Sequence, residues 1–573
     1  MTKKTIQDAT VADAFLQLLA DRGVEYLFAN GGTDFAPILE AYVKAGITGA
    51  KVPKPITVPH ENVAVSMALG YWMVTGRTQA MMLHVNVGTA NALNILMNAS
   101  RGNVPIMFAA GRSPLTESGV KGGRNLPIHW TQEMFDQAGM VREAVKWDYE
   151  LRTATQIETV VDRALSIANS EPKGPVYLSL PRETLAESIE SFSYNSPSRH
   201  GSPTRPFPDI EGVERAAEWM ASAKSPLLIT SNLGFDPGAS AALSALSDRF
   251  AIPVVEFGRK CVAMSADHPM HAGYDPHPYL KDADLVLVVD SIVPWIPETQ
   301  RPRPDAKVVH FGVDPLFQRI PLRGFECDLA VTGVPAACLR ALDLALSDRK
   351  GEMDERIEER RRRITAAHIA RDDKLRAFIE SVRNQTPIHP AWLTHCIAQA
   401  KTDDAIVMRE APTLAYPYIP FSLENTLFSG NGGGGLGWGL GAAVGAKLAA
   451  PDRLVIAAEG DGSYMFCTPV AAHHVAMEND APFLTVIYDN QCWNEVRNAA
   501  LHVYPDGYTA KSNRTEPVTY FDRRLRLEKV VESAEGHGER VLDPAALPDA
   551  LERAIGIVEG DRRQVVLDVV CSN

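Results

Sequence analysis

The chain has 573 residues, 45% of them hydrophobic and 22% charged, with a formal net charge of -13. That length exceeds what one hydrophobic core can serve, and the ordinary composition speaks against a fibre or a disordered chain. The acidic balance argues against a phosphate-backbone partner, so no nucleic acid is expected.

In chain order, the first strand-length apolar runs are Tyr26–Ala29, Ala80–Leu83, Pro105–Ala109 and Pro175–Leu180, separated by helix-like segments. Runs apolar on both faces belong to parallel strands covered by helices, which predicts an α/β domain over residues 1–190. From Ser196 to Pro208 the chain is rich in Ser, Pro, Arg and Gly and reads as a linker. Buried-strand runs resume at Pro226–Ile229, Ile252–Glu256, Leu285–Val289 and Lys307–Phe311, giving a second α/β domain over 209–346. The charged stretch from Ser347 to Arg383 reads as an exposed helix between domains. Its basic run Arg360–Arg363, which follows Glu355, Glu358 and Glu359, reads as a solvated face. A third α/β domain, 384–573, carries runs at Ala405–Met408, Leu454–Ala458, Phe483–Tyr488 and Val565–Val570. Three consecutive α/β domains with parallel sheets are therefore expected.

Seven scattered cysteines without a close-spaced pair fit a reducing, cytoplasmic setting. No signal-like apolar segment follows Met1, and no apolar run reaches on the order of 18 residues, so no membrane partner is expected.

The most informative segment is the buried strand ending in Gly460-Asp461-Gly462-Ser463. Ligands of open parallel sheets gather at strand C-termini, where glycines admit a diphosphate and an aspartate can hold a hard cation. The next apolar strand ends in Asp489-Asn490-Gln491-Cys492, and Asn490 could add an oxygen to the same ion. Either motif alone is compatible with a simple turn.

Together they resemble the thiamine-diphosphate signature, in which Gly-Asp-Gly closes one strand and Asn-Asn the next. Here Asp489 stands for the first Asn and Gln491 for a frequent Gly. The resemblance implies that magnesium, or another divalent cation, is held by Asp461, Asn490 and the backbone carbonyl of Cys492, with Gly460, Gly462 and Ser463 about the diphosphate. The Gly432–Gly439 loop is similar to the family's Gly-Gly-Leu-Gly loop, which assigns the Gly434 carbonyl to the cofactor's amino group and Leu436 to a wedge beneath its thiazolium ring.

In the first domain His60-Glu61 opens an Ala-containing helix that reaches Gly70-Tyr71. Glu61 alone could simply stabilise a helix N-terminus; by resemblance it is the catalytic glutamate that bonds to the pyrimidine N1′. His84, in Leu83-His84-Val85-Asn86-Val87-Gly88-Thr89, matches the active-site histidine of benzoylformate decarboxylases, and Thr33 matches their active-site serine. As lone residues, His84 could be a satisfied strand-end side chain and Thr33 a helix cap. The same family has a second histidine in its middle domain, where this chain has Ile292-Val293-Pro294-Trp295; Trp295 could fill that space or simply pack.

The likeness, more distant to acetohydroxyacid synthases, implies decarboxylation of a 2-keto acid with thiamine diphosphate, and possible carboligation. The alternatives are ligation between 2-keto acids or aldehydes, as in acetolactate synthesis, and a catalytically silent cofactor-binding homologue. No glycine-rich fingerprint in the middle domain calls for FAD. A homodimer at least, or a homotetramer, is implied, with Glu61 facing the Gly460–Gly462 loop across a subunit interface.

Overall fold

The structure, a computed structural model, describes residues 2–411, 417–430, 432–512 and 516–572. Asn431, at the head of the glycine-rich loop, lies outside the described residues.

Among the described residues three parallel sheets follow one another along the chain. The first runs, in spatial order, Lys54–Thr57, Tyr26–Asn30, Gln79–Leu83, Ile106–Arg112, Val176–Pro181 and Asp148–Glu150. The second runs Val254–Glu256, Pro226–Thr230, Leu285–Val289, Lys307–Gly312 and Leu329–Thr332. The third runs Leu427–Phe428, Ile406–Glu410, Val455–Gly460, Leu484–Asp489, Val565–Val570 and His537–Val541. The expected α/β fold is present, with helices interleaved between parallel strands. Interior strands such as Leu285–Val289 and Gln79–Leu83 are buried along their whole length, because helices cover both faces.

Two features were not anticipated. Thr2–Thr10 pairs antiparallel with Ser188–Ser196, from Thr2 opposite Ser196 to Thr10 opposite Ser188. Most side chains of this ribbon are exposed, so no apolar run marks it. The sheet edges, among them Lys54–Thr57, Asp148–Glu150 and His537–Val541, are likewise short and only partly buried.

One expectation is corrected. Arg360 is not on a solvated face: it is 3% exposed and donates to Phe250 O at 2.8 Å and Ala223 O at 3.3 Å. The helix Asp354–Val382 lays Ile357 and Ile364 into the middle-domain core, which carries this guanidinium onto the C-terminal carbonyls of two helices. Trp295 packs in that domain's core, fully buried with its ring centroid 5.3 Å from that of Phe325.

What positions the site is a close crossing of two helices from different domains, Glu61–Thr75 and Gly439–Ala449. Glycines allow it: a Cβ on Gly70 would lie 2.1 Å from Ala442 O, and one on Gly445 would lie 2.1 Å from Met67 O. Ser66 fills the matching space at Gly441, where a Cβ would come within 2.5 Å of its own. Among the described residues no helix is long and apolar enough to cross a membrane. Gly70→Leu should cost roughly 1–3 kcal/mol or more by overpacking this crossing. A lowered urea midpoint would register it; an unchanged midpoint would show that the helices can separate freely.

Candidate active site

Glu61 is the first residue of its helix and is 8% exposed. His60 caps that helix, its ring nitrogen accepting from Asn62 N at 3.2 Å, while Asn91 Nδ2 donates to Glu61 Oε2 at 3.1 Å. Gly88 lies beside the carboxylate; a Cβ there would be in ordinary contact with Glu61 Oε1 at 3.6 Å and tight only against Leu83 Cβ at 3.1 Å.

His84 precedes the helix Val85–Arg101 at the end of the neighbouring strand. Its Nδ1 lies 2.5 Å from Asp34 Oδ1, and Gln132 Nε2 lies 3.3 Å from its Nε2. The bond to Asp34 holds the imidazole above its ordinary value of 6.5, with the Asp34 and Glu61 charges acting the same way. Glu61 and His84 thus share one electrostatic neighbourhood. Gly32 is required there, because a Cβ would fall 2.1 Å from His84 Nδ1.

Thr33 is next to Asp34, and its Oγ1 lies 3.1 Å from Nε2 of His129. His129 is buried and accepts from Asn125 N through Nδ1 at 3.2 Å. Burial, then the Arg182 and Arg124 charges, lowers its pKa, so the ring is neutral near pH 7 with its proton on Nε2. His129 therefore donates to Thr33, leaving the hydroxyl proton for another acceptor. Sequence reasoning missed Asp34, His129 and Gln132. His129 is 96 residues from Thr33, in a segment with no periodic pattern.

In the third sheet, the tips of Val455–Gly460 and Leu484–Asp489 lie side by side, with Gly460 opposite Tyr488. Asp461 begins a short helix, is 4% exposed, and accepts from its neighbour Gly462 N through Oδ1 at 2.7 Å. Its Oδ2 is buried without a hydrogen-bond partner among the described residues. Burial pushes Asp461 up to about 7, and the adjacent Asp489 charge pushes the same way. Asn490 Oδ1 accepts from Cys492 N at 3.0 Å, which leaves a second lone pair on that oxygen. Gly460 has open space, since a Cβ would meet only Ser463 Oγ at 3.8 Å. Gly462 has a different reason from the one expected: a Cβ there would strike the Trp493 indole, 2.5 Å from Nε1.

The glycine-rich loop is stapled to the helix Val85–Arg101. Asn98 Oδ1 accepts from Gly433 N and Gly435 N at 3.0 Å each, and Asn98 Nδ2 donates to Gly435 O at 2.7 Å. Asn94 Nδ2 donates to Leu436 O at 2.9 Å. Gly434 and Gly437 are left-handed, with φ of 80° and 90°, and Leu436 is left 38% exposed. Beneath the loop, Glu410 accepts from Gly437 N, Trp438 N and Gly439 N at 2.7, 3.0 and 2.9 Å. Burial raises Glu410 to about 7, and burial with the facing Glu410 raises Glu459 well above the carboxylate range.

Three family models match this chain in order: thiamine pyrophosphate enzyme N-terminal binding domain at 9–140, central domain at 213–342, and C-terminal binding domain at 411–569. The chain belongs to the thiamine pyrophosphate enzymes. A Pseudomonas aeruginosa protein named "Probable 2-ketoarginine decarboxylase" is 27% identical over 86% of this chain and 84% of its own length. A sulfoacetaldehyde acetyltransferase of Castellaniella defragrans is 23% identical over 99% and 94%. A Haemophilus influenzae acetolactate synthase large subunit is 23% identical over 95% and 92%. In fold, the chain is similar to a 4-hydroxybenzoylformate decarboxylase of Rhodococcus jostii, with a TM-score of 0.76, 20% identity and coverage of 98% and 99%.

The residues present fit the family's cofactor. The partnerless Asp461 oxygen wants a cation, Leu436 offers an exposed apolar wedge, and Gly460 leaves room for a bulky anion. Among the described residues, no hydrogen bond or ion pair connects Glu61 to the Gly460–Ser463 segment.

The His84–Asp34 pair stabilises the fold fully below about pH 6.5, and that contribution is lost as pH rises through the raised native value. Asp34→Asn should therefore move the His84 titration to lower pH, read from the ring carbons of labelled histidine by NMR. An unmoved titration would remove Asp34 as the cause.

Proposed function

We propose that this thiamine pyrophosphate enzyme cleaves a carbon-carbon bond next to a carbonyl, decarboxylating a 2-keto acid. Thiamine diphosphate supplies the nucleophilic carbon and the electron sink. The observation that carries the reading is the cluster at the tips of the first sheet. The His84 imidazole, supported by Asp34, feels the Glu61 charge, and the hydroxyl of Thr33, the residue before Asp34, is supported by His129. In this reading Thr33 donates to the substrate carboxylate. His84, whose protonated form Asp34 favours, delivers the proton that replaces carbon dioxide. Glu61 would hydrogen-bond the pyrimidine, and Asp461, Asn490 and the Cys492 carbonyl would hold a magnesium ion, with Gly460, Gly462 and Ser463 about the diphosphate. The Gly434 carbonyl would accept from the cofactor's amino group and Leu436 would lie against its thiazolium ring.

A second reading, ligation of the acyl group to an aldehyde or keto acid, is supported by the likeness to an acetyltransferase and to acetolactate synthases. Carbon dioxide release and product analysis with pyruvate, benzoylformate and 2-ketoarginine separate the two. Failure of every 2-keto acid to release carbon dioxide would sink both.

The working unit in this reading is a cytoplasmic homodimer, alone or paired into a tetramer. One chain supplies Glu61 and its partner supplies Asp461. The widely scattered cysteines are in keeping with a reducing compartment.

Glu61→Gln should slow turnover roughly 10²- to 10⁴-fold while cofactor affinity stays near that of the parent protein; unchanged turnover would take Glu61 out of the mechanism. Asp461→Ala should weaken magnesium and thiamine diphosphate together in calorimetric titrations, and undiminished retention would discredit the site. Mixing the two inactive variants under conditions of subunit exchange should restore activity. No recovery would place both residues in one chain's site.

A further inference from the structure

The turn that follows Leu484–Asp489 carries an unusual load. Asp489 is a carboxylate that is 2% exposed and sits beside the buried Asp461. Two steps on, Gln491 has a φ of 61°, a left-handed conformation that is strained for a residue with a side chain. Both meet the same guanidinium. Arg524 NH1 donates to Asp489 Oδ2 at 3.0 Å and to Asp489 O at 3.3 Å, and its Nε donates to Gln491 Oε1 at 3.3 Å. Asp489 Oδ1 in turn accepts from Gln491 N at 3.1 Å.

Arg524 arrives on a segment that runs antiparallel to the turn. Trp493 N donates to Thr519 O at 2.8 Å, Phe521 N donates to Gln491 O at 3.0 Å, and Cys492 bridges Tyr520. Between this segment and the strand tips lies a cavity of about 360 Å³ lined by Asp461, Asp489, Gln491 and Arg524 among others.

We infer that Arg524 is a positioning residue for the cation- and diphosphate-binding turn, acting through Asp489 and Gln491. The inference rests on the function proposed above. Two adjacent buried carboxylates would otherwise compete for one cation. With Arg524 matched to Asp489, Asp461 remains as the carboxylate for the ion. The same guanidinium holds Gln491 in its strained geometry, and so keeps Asn490 and Cys492 in place on either side of it. The two positions at which the turn departs from Asn and Gly are thereby served by one arginine.

The test uses full-length protein and titrates magnesium with thiamine diphosphate, following tryptophan fluorescence, to which Trp493 beside Gly462 contributes, and melting temperature. Arg524→Gln should weaken binding roughly tenfold or more, the loss expected when a charged hydrogen bond is removed. Asp489→Asn, nearly isosteric, should do the same, although it restores the commoner residue. The double variant should bind no worse than the weaker single one, since both act through one contact. Adding Gln491→Gly to Arg524→Gln should recover part of the loss, which a general packing defect would not allow.

Melting of the cofactor-free protein should change little. If Arg524→Gln fails to fold, Asp489→Asn alone decides. Binding like that of the parent protein in the single variants, or losses that multiply in the double variant, would overturn the inference. A parent protein that binds neither magnesium nor the cofactor would instead remove the proposed function beneath it.

Discussion

The arrangement depends on the close crossing of the helices Glu61–Thr75 and Gly439–Ala449. Backbone meets backbone there, and only glycine at 70, 441 and 445 allows it. One helix begins with the carboxylate assigned to the pyrimidine end of the cofactor, and the other follows the glycine-rich loop. Packing that admits no extra methyl group turns two domains far apart in sequence into one rigid frame. Asn94 and Asn98 extend the frame by holding the loop's backbone against the first domain.

Charge is distributed over this frame with a clear division of labour. In the first domain, polar groups at the strand tips are satisfied in pairs, His84 by Asp34 and Thr33 by His129. In the third domain the acids are buried. Glu410 is matched by three backbone amides, whereas Glu459 Oε1 and Asp461 Oδ2 have no hydrogen-bond partner among the described residues. A buried polar atom without a partner is costly. Glu410 supports the loop, and in the proposed function the open oxygen of Asp461 takes the ion.

Much of the fold was legible in the sequence because strands with helices on both faces must be apolar throughout. Leu285–Val289 and Val565–Val570 stand out on that ground alone. Edge strands have one flank open to solvent and carry no such mark. Lys54–Thr57, Asp148–Glu150 and His537–Val541 hold polar residues and were invisible. Arg360 escaped notice for a related reason: a charge count does not reveal that one guanidinium of four meets carbonyls at two helix ends.

The sequence by itself determined the family, the α/β architecture and the local motifs at Gly460–Ser463, Asp489–Cys492, Gly432–Gly439 and His60–Glu61, because each is read over a few consecutive residues. Tertiary structure alone decided which side chains support them. His129 reaches Thr33 across 96 residues, Asp34 reaches His84 across 50, and Arg524 reaches Asp489 across 35. Such partners are chosen by where strand tips and loops converge in space, and spacing along the chain carries no trace of that convergence.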